Sequence, residues 1–203
     1  MEGHARVTES DGVKFDASVG VPNGDAFYLP ADSCPQARLW LPWPKHNAAL
    51  QTAIAAIVQA VAGFEPVALL AEPGDEANVR AACGRNATEI FPLVHVSPRL
   101  RDTGPTFLID GKGGSAAVDW RFNGWGGRGD SGDADLAHAL LGAAEVRRFR
   151  APLTLEGSSF VGDGRGTLLA LASAVFDQDR NPALTHTEAF GIFQGWLGAA
   201  RVI

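Results

Sequence analysis

Leu50, Ile54, Ile57, Val58 and Val61 recur at three- and four-residue intervals, the spacing of one helix face. Gly63 is expected to end that helix. Residues 66–71 (PVALLA) are short and apolar throughout, the pattern of a strand buried on both faces. Residues 75–83 predict a second helix, with Asp75 near its start and Gly84 just past its end. Residues 89–94 predict a strand. Residues 106–110 and 116–122 are apolar runs joined by GKGGS, a hairpin pattern. A Gly-rich loop (123–133), a helix over 136–144 capped by Asp133, and a strand over 146–149 follow. Residues 158–161 and 167–171 predict a second hairpin across GDGRG. Thr185 and Glu188 form a capping-box pattern, opening a helix with Phe190, Phe193, Trp196 and Leu197 along one side. Upstream, 30–44 (PADSCPQARLWLPWP) holds too many prolines for a helix. It reads as an ordered loop leading into a short strand at 38–41.

The pattern repeats. LGAAEV at 141–146 returns as LGAARV at 197–202, each after a helix, and 83–90 is a weaker copy. The two Asp-Gly hairpins, LIDGKGGSAAV and FVGDGRGTLLA, also correspond. The expected architecture is therefore an α/β fold built from repeated strand–helix units. The last copy stops at AARVI, where the first continues as RRFR, so Val202 and Ile203 are expected to open a strand in a repeat array cut within a unit. Residues 1–25 are polar and aperiodic and read as a flexible arm ahead of a unit spanning 26–203.

Composition narrows the partners. The 203 residues carry a net charge of −6, which gives no electrostatic reason to expect nucleic acid or an anionic membrane surface. At 46% hydrophobic and 20% charged, the chain can fill a core and is not a disordered polyampholyte. No stretch approaches the ~20 apolar residues that span a bilayer. The start, MEGHARVTESDGVKFD, lacks the basic-then-apolar order of a secretory signal, so a cytoplasmic location is expected. Cys34 and Cys83 are too few for a disulfide framework.

Three segments carry candidate chemistry. RDTGP (101–105) sets Asp102 before a rigid Gly-Pro turn, either to aim a carboxylate into a cleft or to make a surface ion pair. LEGSS (155–159) with Asp163-Gly164 offers a second pair of carboxylates, although Asp163 also suits the first position of a hairpin turn. DWRFNGWGG (119–127) ends a strand in Trp120 and Trp125, either as an aromatic cap or as a wall beside a cation. Arg128-Gly129-Asp130 and Asn86-Ala87-Thr88 match short motifs with no supporting context. The five histidines show no metal-ligand spacing. Cys83 falls on a buried helix side, and Cys34, in the proline-rich loop, is the more exposed thiol.

Together these stretches resemble the agmatine deiminases and bacterial peptidylarginine deiminases. The resemblance runs through 29–44, 64–73, LRDTGPTFLID (100–110), VDWRFNGWGG (118–127), LEGSSFVGDGRGTLL (155–169), DRNPALT (179–185) and LGAARVI (197–203), in the family's order. It implies a pentein-type α/β propeller of five strand–helix units, of which this chain is the N-terminal part. It implies hydrolysis of a guanidinium group, agmatine and water giving N-carbamoylputrescine and ammonia in polyamine metabolism. In that chemistry a cysteine thiolate attacks the guanidinium carbon, carboxylates hold the cation, and a histidine protonates the departing ammonia, with neither metal nor organic cofactor.

Carried over by position, the resemblance makes Asp102, Glu156 and Trp125 substrate-binding and Asp163 catalytic. Trp40, Trp120 and Arg121 match structural or site-wall positions. Three departures oppose turnover. The family's Glu-Gly-Gly-Ser-Ile-His-Val-Asp-Gly is EGSSFVGDG here, so Val161 stands where the histidine would be. Neither cysteine matches the family nucleophile, which lies near the family's C-terminus. His95-Val96-Ser97-Pro98-Arg99 replaces acidic and tryptophan positions, and Arg99 adds a cation beside a cation site, while His95 could approach the site as a substitute base. Losing general acid–base help costs ~10²–10⁴ in rate, and losing the nucleophile removes the mechanism. The expectation is a deiminase-family chain inactive by itself. The alternative is a pseudoenzyme that binds a guanidinium or amine and covers its open edge with a second copy or a complementing chain.

Overall fold

The computed structural model describes residues 20–203, in which nine strands form three separate three-stranded sheets. The first sheet is parallel, in the order β1 (Leu39–Pro42), β2 (Val67–Ala71), β3 (Ala87–Pro92). Its crossovers are α1 (Ala48–Val61) and α2 (Glu76–Cys83). Every residue of β2 is buried, as its unbroken apolar run requires of a central strand covered on both faces. β3 begins two residues ahead of the expected strand. Helix α1 starts where the Asn47 side chain accepts the Leu50 N–H at 3.0 Å. Gly63 does not end it in a left-handed cap. Ala62 caps it in right-handed geometry, and a turn follows in which Phe64 N–H bonds the Val61 carbonyl.

The other two sheets share one plan. A hairpin is followed by a helix and then by a strand parallel to the hairpin's second arm. In the second sheet β4 (Thr106–Ile109) and β5 (Ser115–Arg121) pair antiparallel, and β6 (Arg147–Thr154) returns parallel to β5. Between the first sheet and β4 lies the single turn α3 (Leu100–Thr103), and between β5 and β6 lie α4 (Gly124–Gly127) and α5 (Leu136–Ala143). In the third sheet β7 (Phe160–Gly162) and β8 (Thr167–Ala170) pair antiparallel, and β9 (Arg201–Val202) pairs parallel to β8 after α6 (Ala172–Val175) and α7 (His186–Leu197). The repeat read from LGAAEV and LGAARV is therefore a real repeat of topology.

The two copies differ locally. Gly198 caps α7 at φ 70°, whereas its counterpart Gly142 lies inside α5, and the left-handed position moves on to Glu145 at φ 54°. The same letters therefore end the two helices at different points. Asp133 does not cap α5 with its side chain. Its carboxylate instead accepts the N–H groups of Val96 and Ser97, at 2.7 and 2.8 Å. Strand β6 runs five residues past its expected end, because Ala151 and Leu153 alternate into the same core as Phe149. On α7, Phe193, Trp196 and Leu197 are buried as expected, but Phe190 remains 38% exposed.

Helices fill the spaces between sheets. Leu136 and Leu140 of α5 pack with Leu70 of β2 and Phe107 of β4. Ile192, Phe193, Trp196 and Leu197 of α7 pack with Val118, Phe149 and Leu153 of the second sheet and with Phe160 and Leu168 of the third. Of the arm expected over 1–25, residues 1–19 lie outside the described residues. Pro22–Asp25 forms a 3-10 turn with Pro22 buried, and Tyr28 then exchanges backbone hydrogen bonds with Ile109 at 2.9 and 3.1 Å. Among the described residues no helix is long and apolar enough to cross a membrane.

Candidate functional site

Asp102 lies in α3, where its N–H bonds the Arg99 carbonyl at 2.8 Å. One carboxylate oxygen, Oδ2, accepts the Trp125 indole N–H at 3.0 Å. Trp125 reaches it from an unusual backbone. Gly124, Trp125, Gly126 and Gly127 have φ of 72°, 56°, 74° and 71°, so α4 is a left-handed turn. Glycine adopts that geometry freely, whereas a tryptophan in it costs about 1–2 kcal/mol. The conformation persists because its surroundings over-determine it. Asn123 Oδ1 accepts the Gly126 N–H at 2.9 Å, Arg128 donates to the Trp125 carbonyl at 3.0 Å, and the Phe122 ring stands perpendicular to the indole with centroids 4.9 Å apart. The NGWGG string, read from sequence as a loop, is thus the device that delivers Trp125 to Asp102.

Glu156 is almost wholly buried, and both of its oxygens are engaged. Arg180 Nε donates to them at 3.0 and 3.2 Å, and Ser159 Oγ donates to Oε2 at 3.2 Å. A tight approach ties this acid to Asp102's segment. Arg101 Nε donates to the Gly157 carbonyl at 3.1 Å, and a Cβ at Gly157 would overlap the Arg101 carbonyl oxygen. Glu156 therefore presents a neutralised carboxylate, and Arg180, which sequence reasoning gave no role, is its partner. Arg180 also pairs with Asp177 at 3.3 Å. Arg128 reaches back to Asp177 and Asp179 at 3.0 and 3.2 Å, and Asn123 donates to the Asp179 carbonyl. The DQDRN string (177–181) so clasps the Trp125 turn on one side and Glu156 on the other. Its signal in the sequence was a dense run of charge between two apolar helices. Burial works to raise the Asp177 carboxyl, but the Arg128 hydrogen bond, the Asp179 N–H and the charges of Arg128 and Arg180 leave it net below the ordinary aspartate value.

Asp163 occupies the first position of the hairpin turn, as its Asp-Gly sequence suited. Its Oδ1 accepts the N–H groups of Arg165 and Thr167 at 2.8 and 2.9 Å. Asp110 does the same in the first hairpin, with Lys112 and Gly114. Those backbone N–H groups hold both carboxyls below the ordinary aspartate value. Among the described residues no hydrogen bond or ion pair joins Asp163 to Asp102 or Glu156. A cavity of about 130 Å³ nevertheless brings the three segments together, since Arg101, Gly157, Val161 and Gly162 line it with Thr106 and Phe160. Its walls are chain neighbours of the acids, not the acids themselves. Val161, at the histidine position, is 42% exposed.

The other named residues fall into place. Trp120 is buried, with its N–H on Thr106 Oγ1 at 2.9 Å, and Trp40 stacks against Phe107 at 6.2 Å, so both are structural. Arg121 is exposed at the end of β5. The Arg99 guanidinium lies over the Trp125 ring at 5.6 Å, so the extra cation does reach the site. His95 is buried, with Nδ1 at 3.2 Å from the Leu93 carbonyl, and among the described residues no hydrogen bond or ion pair joins it to Asp102 or Glu156. Cys83 is buried among Trp43, Val58 and Val79, where burial raises its thiol pKa, and Cys34 lies half-buried in the proline-rich loop.

The model of the Porphyromonas-type peptidyl-arginine deiminases matches residues 28–203. A protein of Legionella pneumophila (strain Paris) is 38% identical over 192 residues, covering 90% of this chain and 56% of its own. The agmatine deiminase of Stutzerimonas stutzeri is 34% identical over 197 residues, covering 90% and 53%. Among solved structures, the agmatine deiminase of Enterococcus faecalis superposes with a TM-score of 0.82 at 26% identity, covering 90% of this chain and 54% of that one. The chain thus spans about half the length of the relatives it matches.

Proposed function

The chain belongs to the Porphyromonas-type peptidyl-arginine deiminase family, and from that premise we propose that it binds a guanidinium compound of the agmatine class through Asp102 and Trp125. The observation that carries this reading is the Trp125–Asp102 hydrogen bond, made from a left-handed turn whose strain is held by its surroundings. A carboxylate oriented by an indole, with an aromatic face beside it, suits a planar cation by charge and by cation–π attraction. Relatives named agmatine deiminase, from Stutzerimonas stutzeri and Enterococcus faecalis, support that substrate class, and with it a proposed place in putrescine formation. The three strand–helix units are proposed to be three units of a pentein-type propeller, and the location to be cytoplasmic.

On this reading the chain by itself does not turn the ligand over. Val161 cannot carry a proton to a leaving amine, Glu156 is held by Arg180, and Cys83 is locked in the first sheet's core. Titration calorimetry with agmatine, arginine and putrescine, on the wild type and on Asp102→Asn, tests the binding. The guanidinium compounds are expected to bind, to lose at least tenfold in affinity with Asp102→Asn, and to release no ammonia. No heat from any guanidinium compound would sink the binding reading. Ammonia release that persists in preparations free of host enzyme would sink the inactivity.

A second reading, self-association, is favoured by one observation. Val161, Leu169, Leu171, Phe190 and Ile203, all in or beside the third sheet, are large hydrophobics left 38–59% exposed. Light scattering across a concentration series is expected to show a dimer, and a monomer at every concentration would remove this reading.

A further inference from the structure

One face of the Trp125 ring is already occupied by a cation. Arg99 places its guanidinium 5.6 Å from the ring centroid. The indole has other neighbours: its N–H is on Asp102, the Phe122 ring stands perpendicular to it at 4.9 Å, and a Cβ at Gly129 would run into its ring atoms. Among the described residues no carboxylate oxygen lies within 4 Å of the Arg99 guanidinium, which is placed instead over the aromatic ring. Its backbone, by contrast, is fixed. Asp133 holds the N–H groups of Val96 and Ser97, Ser97 Oγ accepts the Arg99 N–H at 3.0 Å, and the Arg99 carbonyl accepts the Asp102 N–H.

We propose that Arg99 is a tethered guanidinium that occupies the Trp125 face beside Asp102, and that an external guanidinium must displace it to bind. This rests on the guanidinium-binding reading above. Arg99 is the N-cap residue of α3, one helical turn before Asp102, so its backbone anchors the side chain next to the site. Tethering gives an effective concentration in the millimolar range, against which free ligand competes. The plug is displaceable because only side-chain torsions need change. An exposed cation–π contact corresponds to about a 2- to 5-fold competition, and repulsion between two cations at one carboxylate adds to it. The device sets a threshold: ligand occupies the site only at concentrations that outcompete the chain's own arginine.

The test compares wild type, Arg99→Ala and Arg99→Gln, with thermal melting to confirm that each folds. Binding of agmatine is read by calorimetry and by the indole ¹H–¹⁵N resonance of Trp125, assigned by its loss in Trp125→Phe. Both Arg99 variants are expected to shift that resonance without ligand and to bind agmatine about 3- to 10-fold more tightly. Equal affinity in all three proteins overturns the plug while leaving guanidinium binding intact. Weaker binding in the variants overturns it too, since Arg99 would then assist the ligand. A resonance that agmatine moves in none of them overturns both readings, and the ligand-free shift then reports separately whether Arg99 covers the ring.

Discussion

Arg180→Met is the substitution whose effect the structure specifies most sharply. Arg180 and Glu156 have side-chain exposures of 10% and 3%, and the guanidinium Nε addresses both carboxylate oxygens. Methionine keeps most of the aliphatic volume but leaves a buried carboxylate with only the Ser159 hydroxyl at 3.2 Å. Removing one partner of a buried ion pair costs about 3–5 kcal/mol, because the remaining charge has no water to turn to. For a chain of this size that corresponds to a fall in Tm of about 6–20 °C. Glu156→Gln is expected to be milder, about 1–3 kcal/mol, since Arg180 keeps Asp177 at 3.3 Å. The double variant removes the stranded charge and is expected to be more stable than Arg180→Met alone, a coupling of about 1–3 kcal/mol. Urea unfolding followed by tryptophan fluorescence, with thermal melts alongside, gives all four corners of the cycle. A loss below about 1 kcal/mol for Arg180→Met, or additive effects in the double variant, would refute the argument that this pair clasps the site.

Other perturbations follow from the same geometry. Gly124→Ala is expected to destabilise by at least about 2 kcal/mol, since φ is 72° and the added Cβ overlaps the Gly129 carbonyl. The Trp125 indole resonance should also lose its single environment in that variant. Asp110 and Asp163 are held below the ordinary aspartate value by backbone N–H groups, so the unfolded chain takes up these protons at higher pH than the folded one. Their stabilisation is complete above the ordinary value and is lost as pH falls through the depressed one. The stability gap between wild type and Asp110→Asn or Asp163→Asn should therefore close between about pH 5 and pH 2 in urea titrations. Cys83 is 3% exposed with a raised thiol pKa, so a disulfide reagent at neutral pH should modify Cys34 in the native protein and reach Cys83 only on unfolding. Fast modification of both thiols would contradict that placement.

Local pattern was enough for much of this molecule. An unbroken apolar run such as 67–71 suits only a strand covered on both sides, and Asp-Gly between two apolar runs suits only a hairpin. Thr185 and Glu188 close a capping box from within four residues. The repeated LGAA segments announced repeated topology, since each precedes a strand that pairs parallel to the second arm of a hairpin. The carboxylates Asp102, Glu156 and Asp163 were visible as residues, and so was the intrusion of Arg99 ahead of Asp102. What each one touches was not visible. Glu156 meets Arg180 across 24 positions, Trp125 meets Asp102 across 23, and Asp133 holds Val96 from 37 away. Such partners depend on how sheets and helices are stacked, and no short window of sequence records that. Two roles were misplaced, one through a distant partner and one through a local turn. Asp133 stands where a helix cap would stand, yet two unsatisfied N–H groups from a distant loop reach it first. Gly63 follows a helix, yet the turn there closes without left-handed geometry. Periodicity and turn chemistry therefore determined the elements, whereas the pairing of charges and the delivery of Trp125 to Asp102 were decided by long-range packing, where desolvation makes one partner favourable and another costly.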